Sequence, residues 1–297
     1  MEGPRSHLKN MEIEEHITPD RLRQDVQHIK DWMDKEPHLP KISDEEWLIT
    51  FMHHNKYSLE KTKKKLESYF SFRNKYPDIL KNRDPLGDDV ALARRAFNCS
   101  LSEKLTKDGG RILFNRFNED TSLFNVTNHL KRLFMIVDLF YLEHDRHDSL
   151  LSVTDCQNLS YAYFLKALPG IKTGMDIFFT AYSDRLKAFH IINASPGLET
   201  VLNGFKSFLP AKIADRFFVH SSIDDLIRIL GEDAICINFG GKGPSYSECD
   251  EYTTKLIEKH RKWFLKQDDI TVNDQLRRKT NNHVEEMKGS FRKLEVD

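Results

Sequence analysis

A glycine-rich loop is the first feature of the sequence that could carry chemistry. Gly240-Gly241-Lys242-Gly243 offers the glycines and the lysine that hold phosphate groups in nucleotide-binding loops. Such a loop requires another glycine five residues before Gly241 and a hydroxyl residue after the lysine, but the chain has Cys236 and Gly243 there. The sequence also lacks the GxGxxG, GxSxG, HExxH and EF-hand patterns. We therefore predict neither a cofactor nor a metal ion for this chain.

Histidines and cysteines are the other side chains that could form a catalytic or metal site. The 13 histidines are scattered, and His53-His54 is the only adjacent pair. His190 and His220 lie in strand-like runs, where a core or edge histidine is commoner than a general base. The four cysteines are far apart and form no CxxC pair, which is typical of reduced thiols. The sequence thus predicts no catalytic constellation and no enzyme.

Two pairs of basic residues have an ordered spacing. Arg185 and Lys187 alternate at the start of a predicted strand, so they point to the same face. Lys212 and Arg216 are one helical turn apart and share a helix face. Convergent arginine and lysine side chains suit multiply charged phosphate groups. A further run of lysines around Lys64 has the pattern of a solvated helix face.

An apolar helix lies between the two basic pairs. Its stripe follows the spacing i, i+3, i+4 and i+7: Leu198, Val201, Leu202 and Phe205. Pro196-Gly197 before the stripe and Pro210 after it are natural hinges, so the helix could move as a unit. An ordinary packed helix fits the spacing equally well. A second apolar set is large enough to line a cavity or to form an aromatic core: Phe134, Val137, Phe140, Ile177, Phe178, Phe179 and Tyr182.

These candidate residues must be positioned by a helical first part and an α/β second part. Thr18-Pro19, Ser43 and Ser58 predict three helix starts, and the turn residues of segment 81–92 predict a connection. Beyond it, strand-like runs alternate with helical segments. The predicted strands are 111–117, 150–155, 187–193 and 217–220, and the predicted helices are about 126–143, 171–182, 196–208 and 222–230. This order predicts βαβ crossovers and a mainly parallel sheet with helical cover.

Composition narrows the class of protein. The chain has 297 residues, of which 39% are hydrophobic and 31% charged, so it is neither disordered nor of low complexity. Its 45 basic and 46 acidic residues give a net charge of -1, which provides no global field for a nucleic acid. The start is charged where a secretory signal is apolar, and no stretch approaches the roughly 18 apolar residues of a membrane span. We therefore expect a soluble, cytoplasmic protein.

Three segments resemble the CRAL-TRIO lipid-transfer family, in the branch that carries tocopherol and retinaldehyde. Residues 181–222, AYSDRLKAFHIINASPGLETVLNGFKSFLPAKIADRFFVHSS, resemble the core motif of the family. Residues 44–80 are similar to its N-terminal three-helix domain, and INFGGKGPS at 237–245 is similar to its closing segment. The resemblance covers roughly residues 20–265, with the motifs in the family's order.

The resemblance implies a helical N-terminal domain at 15–80, a linker at 81–92, a lipid-binding domain at 93–266 and a polar tail at 271–297. It places a mobile gate helix at 195–209, on the apolar stripe. It also implies a lipid pocket lined by Phe134, Val137, Tyr161, Leu165, Ile177, Phe178, Tyr182 and Leu186. The basic positions of the family that hold phosphoinositides correspond to Lys64, Arg185, Lys187, Lys212 and Arg216.

Three departures from the family pattern weigh against tocopherol itself as the ligand. Asn55 stands where the family usually has arginine, and Asp184 stands where an apolar pocket residue is expected. Phe134 and Val137 match a helix that bears hydroxyl groups in the tocopherol pocket. We therefore expect a carrier of a small hydrophobic lipid, such as a tocopherol, retinoid or carotenoid, that associates transiently with phosphoinositide-containing membranes. The alternatives are an enzyme acting on the bound lipid and a lipid-sensing adaptor that recruits a protein through the tail at 271–297.

Overall fold

The computed structural model of the protein describes residues 17–118, 121–182, 185–207, 209 and 211–277. The sequence features at Asp184, at Pro210 and in most of the polar tail lie outside these residues. Val272 and Asn273, at the start of that tail, pack onto the N-terminal helices. The backbone N–H of Asn273 donates to the carbonyl of His38 at 2.9 Å. The first residues predicted as tail therefore belong to the folded structure.

Four helices form the N-terminal region: α1 (Pro19–Lys35), α2 (Glu45–His54), α3 (Leu59–Lys75) and α4 (Pro77–Leu80). Helices α1 and α3 begin where the sequence predicts, because the hydroxyls of Thr18 and Ser58 cap them. The predicted cap at Ser43 is wrong. Asp44 caps α2 instead, since its carboxylate accepts the backbone N–H of Trp47 at 3.0 Å.

A five-stranded sheet forms the second part: β1 (Phe97–Leu101), β2 (Gly110–Phe117), β3 (Ser149–Asp155), β4 (Leu186–Ile192) and β5 (Phe217–Val219). The strands lie in the order β1-β2-β3-β4-β5. Strand β1 pairs with β2 antiparallel, and the other three pairs are parallel. The mainly parallel sheet and its four predicted strands are therefore confirmed. The antiparallel edge strand β1 was not predicted, because it follows a helix directly and has no turn residue before it.

The remaining helices are α5 (Asp88–Ala96), α6 (Val126–Leu142), α7 (Tyr161–Ala181), α8 (Pro196–Lys206), α9 (Ala211–Ala214), α10 (Ile223–Leu230), α11 (Tyr246–Lys259) and α12 (Arg261–Lys266). Helix α5 begins inside the predicted linker at 81–92, so the connection ends at Gly87. Helix α7 begins ten residues before its predicted start and continues through Pro169. A side chain at Gly170 would place its Cβ 1.8 Å from Val126 of α6, so this glycine permits close packing of the two helices.

The sheet has a core on each face. On β2, Ile112 and Phe114 pack into the core that also contains α10 and part of α11. Leu113 and Phe117, in the alternate register, belong to the larger core shared with α6, α7 and the N-terminal helices. This alternation assigns one face of the sheet to structural packing and the other to the candidate site.

Asp138 joins the N-terminal helices to the second part. This fully buried carboxylate on α6 accepts Tyr69 Oη of α3 at 2.7 Å, Arg83 Nη1 at 2.5 Å and Tyr182 Oη at 3.4 Å. Tyr69 and Arg83 lie before the sheet and Tyr182 follows α7, so one side chain ties together three separate parts of the chain. The two regions therefore share one continuous core.

Candidate lipid-binding site

A cavity of about 280 Å³ lies between the sheet and helices α6, α7 and α8. Its size is at the lower end for small-molecule sites, which span roughly 300–1,000 Å³. Apolar side chains form most of the wall, and among the residues that the structure describes there, none is aspartate, glutamate, lysine or arginine. The cavity thus has the chemistry of a site for an uncharged, mainly apolar molecule.

The periodicities of the sheet and of α7 turn the wall residues inward. From β2 and β3, alternate residues face the cavity: Leu113, Asn115 and Phe117, and Leu150, Ser152 and Thr154. From α7, the wall residues follow helical spacing: Phe164, Ala167, Ile171, Gly174, Met175 and Phe178. Phe189 and Ile191 of β4 complete this side of the wall.

Three of the residues predicted for the pocket line the cavity: Val137 of α6, Phe178 of α7 and Leu186 of β4. Phe134, Ile177 and Tyr182 are not among the wall residues. Phe134 stacks on Tyr182 with ring centroids 5.0 Å apart, and the Tyr182 ring lies 5.2 Å from Tyr69 of α3. These side chains are buried in the core shared with the N-terminal helices, so the prediction has to be corrected for them.

Tyr161 and Leu165 do not line the cavity either. They are 55% and 45% exposed, because Tyr161 is the first residue of α7 and Leu165 lies one position away from the inward stripe. Ser160 caps the helix there, with its hydroxyl accepting the backbone N–H of Tyr163 at 3.3 Å. The corrected wall therefore starts at Phe164.

Helix α8 closes one side of the cavity with its apolar stripe. Leu202 and Phe205 are wall residues, and the Phe205 ring meets the Phe164 ring of α7 edge-on at 5.8 Å. Leu198 is buried, and the half-buried Val201 packs against the same small core. The four residues predicted for the gate thus share one packed face of α8.

The cavity also has polar side chains that the sequence analysis did not single out. Asn115 of β2 and Ser152 of β3 are joined by a 3.1 Å hydrogen bond from the amide to the hydroxyl. Thr154 follows on the same strand, and His129 of α6 lies with its ring 4.3 Å from that of Phe97. Burial lowers the pKa of His129 to about 4, which leaves its imidazole neutral. In the sequence, Asn115 and the pair Ser152 and Thr154 occupy alternate positions of two strands, which could have marked a polar patch. Only the register between the strands shows that these side chains are neighbours.

Three of the five predicted phosphoinositide residues, Arg185, Lys187 and Arg216, lie at the beginning of β4. Arg216 Nη1 donates to the carbonyl of Leu186 at 2.6 Å, and Arg185 Nη2 donates to the carbonyl of His53 in α2 at 2.8 Å. Lys187 is exposed on β4, and Lys212 is exposed on α9. Two arginines are therefore held by backbone carbonyls, while two lysines point into solvent.

Lys64 is exposed on α3. Its neighbour Lys65 donates from Nζ to the carbonyls of Phe179 and Tyr182 at 2.5 and 2.8 Å. These carbonyls end α7, a few residues before Arg185. These contacts fix α3 against the end of α7, and Lys64 lies one residue before them in the chain.

The histidines singled out by the sequence have packing roles. His53 and His54 are buried where α2 meets the loop before β3, and their Nε2 atoms lie 3.3 and 2.9 Å from the carbonyls of His147 and Asp145. Burial, with the Arg185 guanidinium nearby, lowers the pKa of His53 to about 4. His190 Nδ1 lies 2.9 Å from His220 Nε2 between β4 and the residue after β5, in line with the expected core or edge position.

Two further features are absent from the part of the chain that the structure describes. None of its helices combines the length and the apolar character needed to cross a membrane. The same residues contain no group of three or more histidine, cysteine or acidic side chains arranged to hold a metal ion.

Two known domain families match this chain. Residues 18–90 match the Pinta-like UBA domain, and residues 98–241 match the CRAL/TRIO domain. The matched ranges coincide with the N-terminal helices and with the sheet that carries the cavity. A solved structure, that of Sfh5, has a similar fold, with a TM-score of 0.51 and 14% sequence identity, covering 82% of this chain and 98% of that one.

Curated relatives are distant but extended over much of the chain. Clavesin-1 of Xenopus laevis is 22% identical over 262 residues, which is 81% of this chain and 78% of that protein. The human alpha-tocopherol transfer protein-like protein is 25% identical over 225 residues, which is 74% of this chain and 65% of that protein. With its helical N-terminal region, its mainly parallel sheet and these matches, the chain belongs to the CRAL/TRIO-domain family.

Proposed function

We propose that this protein carries one small hydrophobic lipid in the cavity and exchanges it at membrane surfaces with the help of phosphoinositides. The observation that carries the proposal is the uncharged, apolar cavity of about 280 Å³ under an amphipathic helix. A CRAL/TRIO domain implies a hydrophobic lipid ligand, and the name of one relative refers to tocopherol transfer.

The physical need for a carrier follows from the hydrophobic effect. A lipid with about 400 Å² of apolar surface requires on the order of 10 kcal/mol to enter water, at about 25 cal/mol per Å². Spontaneous transfer between membranes is slow for this reason. A protein cavity lined by apolar side chains removes most of that surface from water during transfer.

The stripe of α8 serves two states in this proposal. In solution, Leu202 and Phe205 cover the ligand, and at a membrane the same stripe faces acyl chains after the helix moves away. Lys64, Arg185, Lys187, Lys212 and Arg216 bind the phosphoinositide head group. Such a lipid favours release only if it binds the open state more tightly than the closed state.

The cavity favours a carrier over an enzyme acting on the lipid. Cys156 is a wall residue, but burial raises the pKa of its thiol to about 12, so it is not a ready nucleophile. His129 is neutral, and the wall residues that the structure describes include no carboxylate to orient it. Of the tail that the adaptor alternative requires, the described residues Val272 and Asn273 pack on the N-terminal region, so this part of the tail is not a free docking segment.

Transfer between two vesicle populations tests the proposal. Donor vesicles contain cis-parinaryl alcohol, a fluorescent lipid, and acceptor vesicles contain a quencher with or without a phosphatidylinositol bisphosphate. We expect catalytic amounts of protein to accelerate transfer, and to do so more strongly with the phosphoinositide. Protein that binds the probe but accelerates transfer equally with both acceptors would contradict the phosphoinositide role, and protein that binds no probe would contradict the carrier role.

A further inference from the structure

The cavity floor, defined here as Asn115, Ser152 and Thr154, contains the polar side chains that β2 and β3 contribute to the apolar wall. The parallel register of the two strands pairs Leu113 with Ser152 and Asn115 with Thr154. All three polar side chains are therefore neighbours on the inner face of the sheet.

The hydrogen bonds among the floor residues leave some of their donor and acceptor atoms free to bind a ligand. The Asn115 amide nitrogen donates to Ser152 Oγ at 3.1 Å and to the carbonyl of Leu113 at 3.3 Å, so both of its protons are used. The Asn115 amide oxygen and Thr154 Oγ1 have no hydrogen-bond partner among the residues that the structure describes. Ser152 Oγ accepts a proton from Asn115, and its own proton has no acceptor among the same residues. The floor thus offers one carbonyl acceptor and two hydroxyl groups to a ligand.

Burial makes these groups matter for specificity. Asn115 and Ser152 are 8% and 6% exposed on the inner face of the sheet. A buried polar group that loses water without gaining a partner costs about 1–3 kcal/mol. A site built to hydrogen-bond a ligand group therefore rejects an otherwise identical ligand that lacks the group.

The same wall is unsuited to a charged head group. Within the described parts of the wall, no lysine or arginine is available to pair with a carboxylate or a phosphate. An ion moved from water into an apolar site without a counter-charge pays a desolvation penalty of several kcal/mol.

From this arrangement we infer that the cavity selects a neutral lipid with one hydrogen-bonding head group, an alcohol or a carbonyl, and holds that group on the floor formed by Asn115, Ser152 and Thr154. The inference rests on the proposed function and specifies the class of its ligand. Fatty acids and plain hydrocarbons of the same chain length bind more weakly, the first because of their charge and the second because they leave the floor unpaired.

Three probes with one tail test the inference: cis-parinaryl alcohol, cis-parinaric acid and the matching tetraene hydrocarbon. Their fluorescence on binding the full chain is titrated at pH 7.4, where the acid is ionised. We expect the alcohol to bind at least about 10-fold more tightly than either of the others, since one unpaired polar group already corresponds to about that factor.

Two nearly isosteric variants locate the head group. Thr154→Val and Ser152→Ala each remove a hydroxyl, and we expect each to weaken alcohol binding by about 3- to 10-fold while hydrocarbon binding stays equal or improves. Ile191→Val is the control, because it removes one methylene from the same side of the wall and weakens both probes alike. Thermal unfolding of each variant shows that it is folded.

The outcomes separate this inference from the proposed function. Equal effects of Thr154→Val on alcohol and hydrocarbon, or acid binding as tight as alcohol binding, would overturn the inference and leave the carrier proposal standing. A wild-type protein that binds none of the three probes would overturn the carrier proposal and the inference with it.

Discussion

A carboxylate at Phe178 tests whether the cavity is the site that holds the lipid. Phe178 lies on the wall from the inward face of α7, and the described wall residues include no lysine or arginine to pair with a new charge. In Phe178→Asp, the empty cavity holds water that solvates the ion, but an entering lipid displaces that water. We therefore expect the variant to fold and to lose most of its lipid affinity.

The size of the loss follows from the cheapest way to remove the charge. An aspartate with an ordinary pKa near 3.9 must bind a proton before the lipid enters, which at pH 7.4 costs about 5 kcal/mol and corresponds to about 3,000-fold in affinity. At pH 5.0 the same step costs only about 1.5 kcal/mol, or roughly 10-fold. The defect should therefore shrink by more than two orders of magnitude on acidification.

Titration with cis-parinaryl alcohol at the two pH values measures this effect. Leu165→Asp is the matched control, because it adds the same side chain to the same helix at a position that is 45% exposed. Phe178→Leu keeps the wall apolar and should retain binding to within a few fold. If Phe178→Asp and Leu165→Asp bound the probe equally at pH 7.4, or if the Phe178→Asp defect were the same at both pH values, the assignment of Phe178 to the binding wall would be refuted.

Three further predictions concern stability, membrane binding and the gate. The pKa of His53 is about 4 in the folded protein and 6.5 in the unfolded chain, so the free energy of unfolding should fall as the pH drops from 6.5 towards 4, by about 2 kcal/mol at pH 5. Urea unfolding of His53→Gln should therefore depend less on pH than that of the wild type. The same pH dependence in both proteins would contradict this prediction. Lys187→Ala with Lys212→Ala removes two exposed cations, so flotation with phosphoinositide vesicles should fall several-fold at unchanged probe affinity, and the opposite pattern would refute the division of roles. Cysteines at Phe164 and Phe205, whose ring centroids lie 5.8 Å apart, can be joined by a bifunctional thiol reagent that contains a disulfide, after replacement of the native cysteines. The cross-link should stop lipid exchange and its reduction should restore exchange; free exchange in fully cross-linked protein would mean that α8 is not the gate.

The elements that the sequence predicts are those that depend on local signals. Thr18 and Ser58 cap their helices, and the central strands are short apolar runs between turns. The first half of α7 was missed because Pro169-Gly170 has the pattern of a helix end. Its persistence is a tertiary effect, since Gly170 lets α7 pack against Val126.

In the candidate site, too, some residues can be predicted from local sequence patterns and others depend on tertiary packing. Val137, Phe178 and Leu186 follow from periodicity and resemblance, and the structure places them on the wall. Phe134 and Tyr182 share those patterns, but the buried Asp138 cluster draws this part of the helices toward the N-terminal region. Local periodicity cannot reveal which side of a helix a distant segment covers. The polar floor depends likewise on the register between two strands.

Native mass spectrometry of the protein purified from its own cells is the most direct test of the central claim, that the cavity carries a neutral hydrophobic lipid. We expect a bound species of small mass that extracts into organic solvent, is uncharged at neutral pH and is absent from Phe178→Asp but present in Leu165→Asp. A wild-type protein with no bound species that also takes up no neutral lipid from vesicles, or a bound species retained equally by Phe178→Asp, would contradict it.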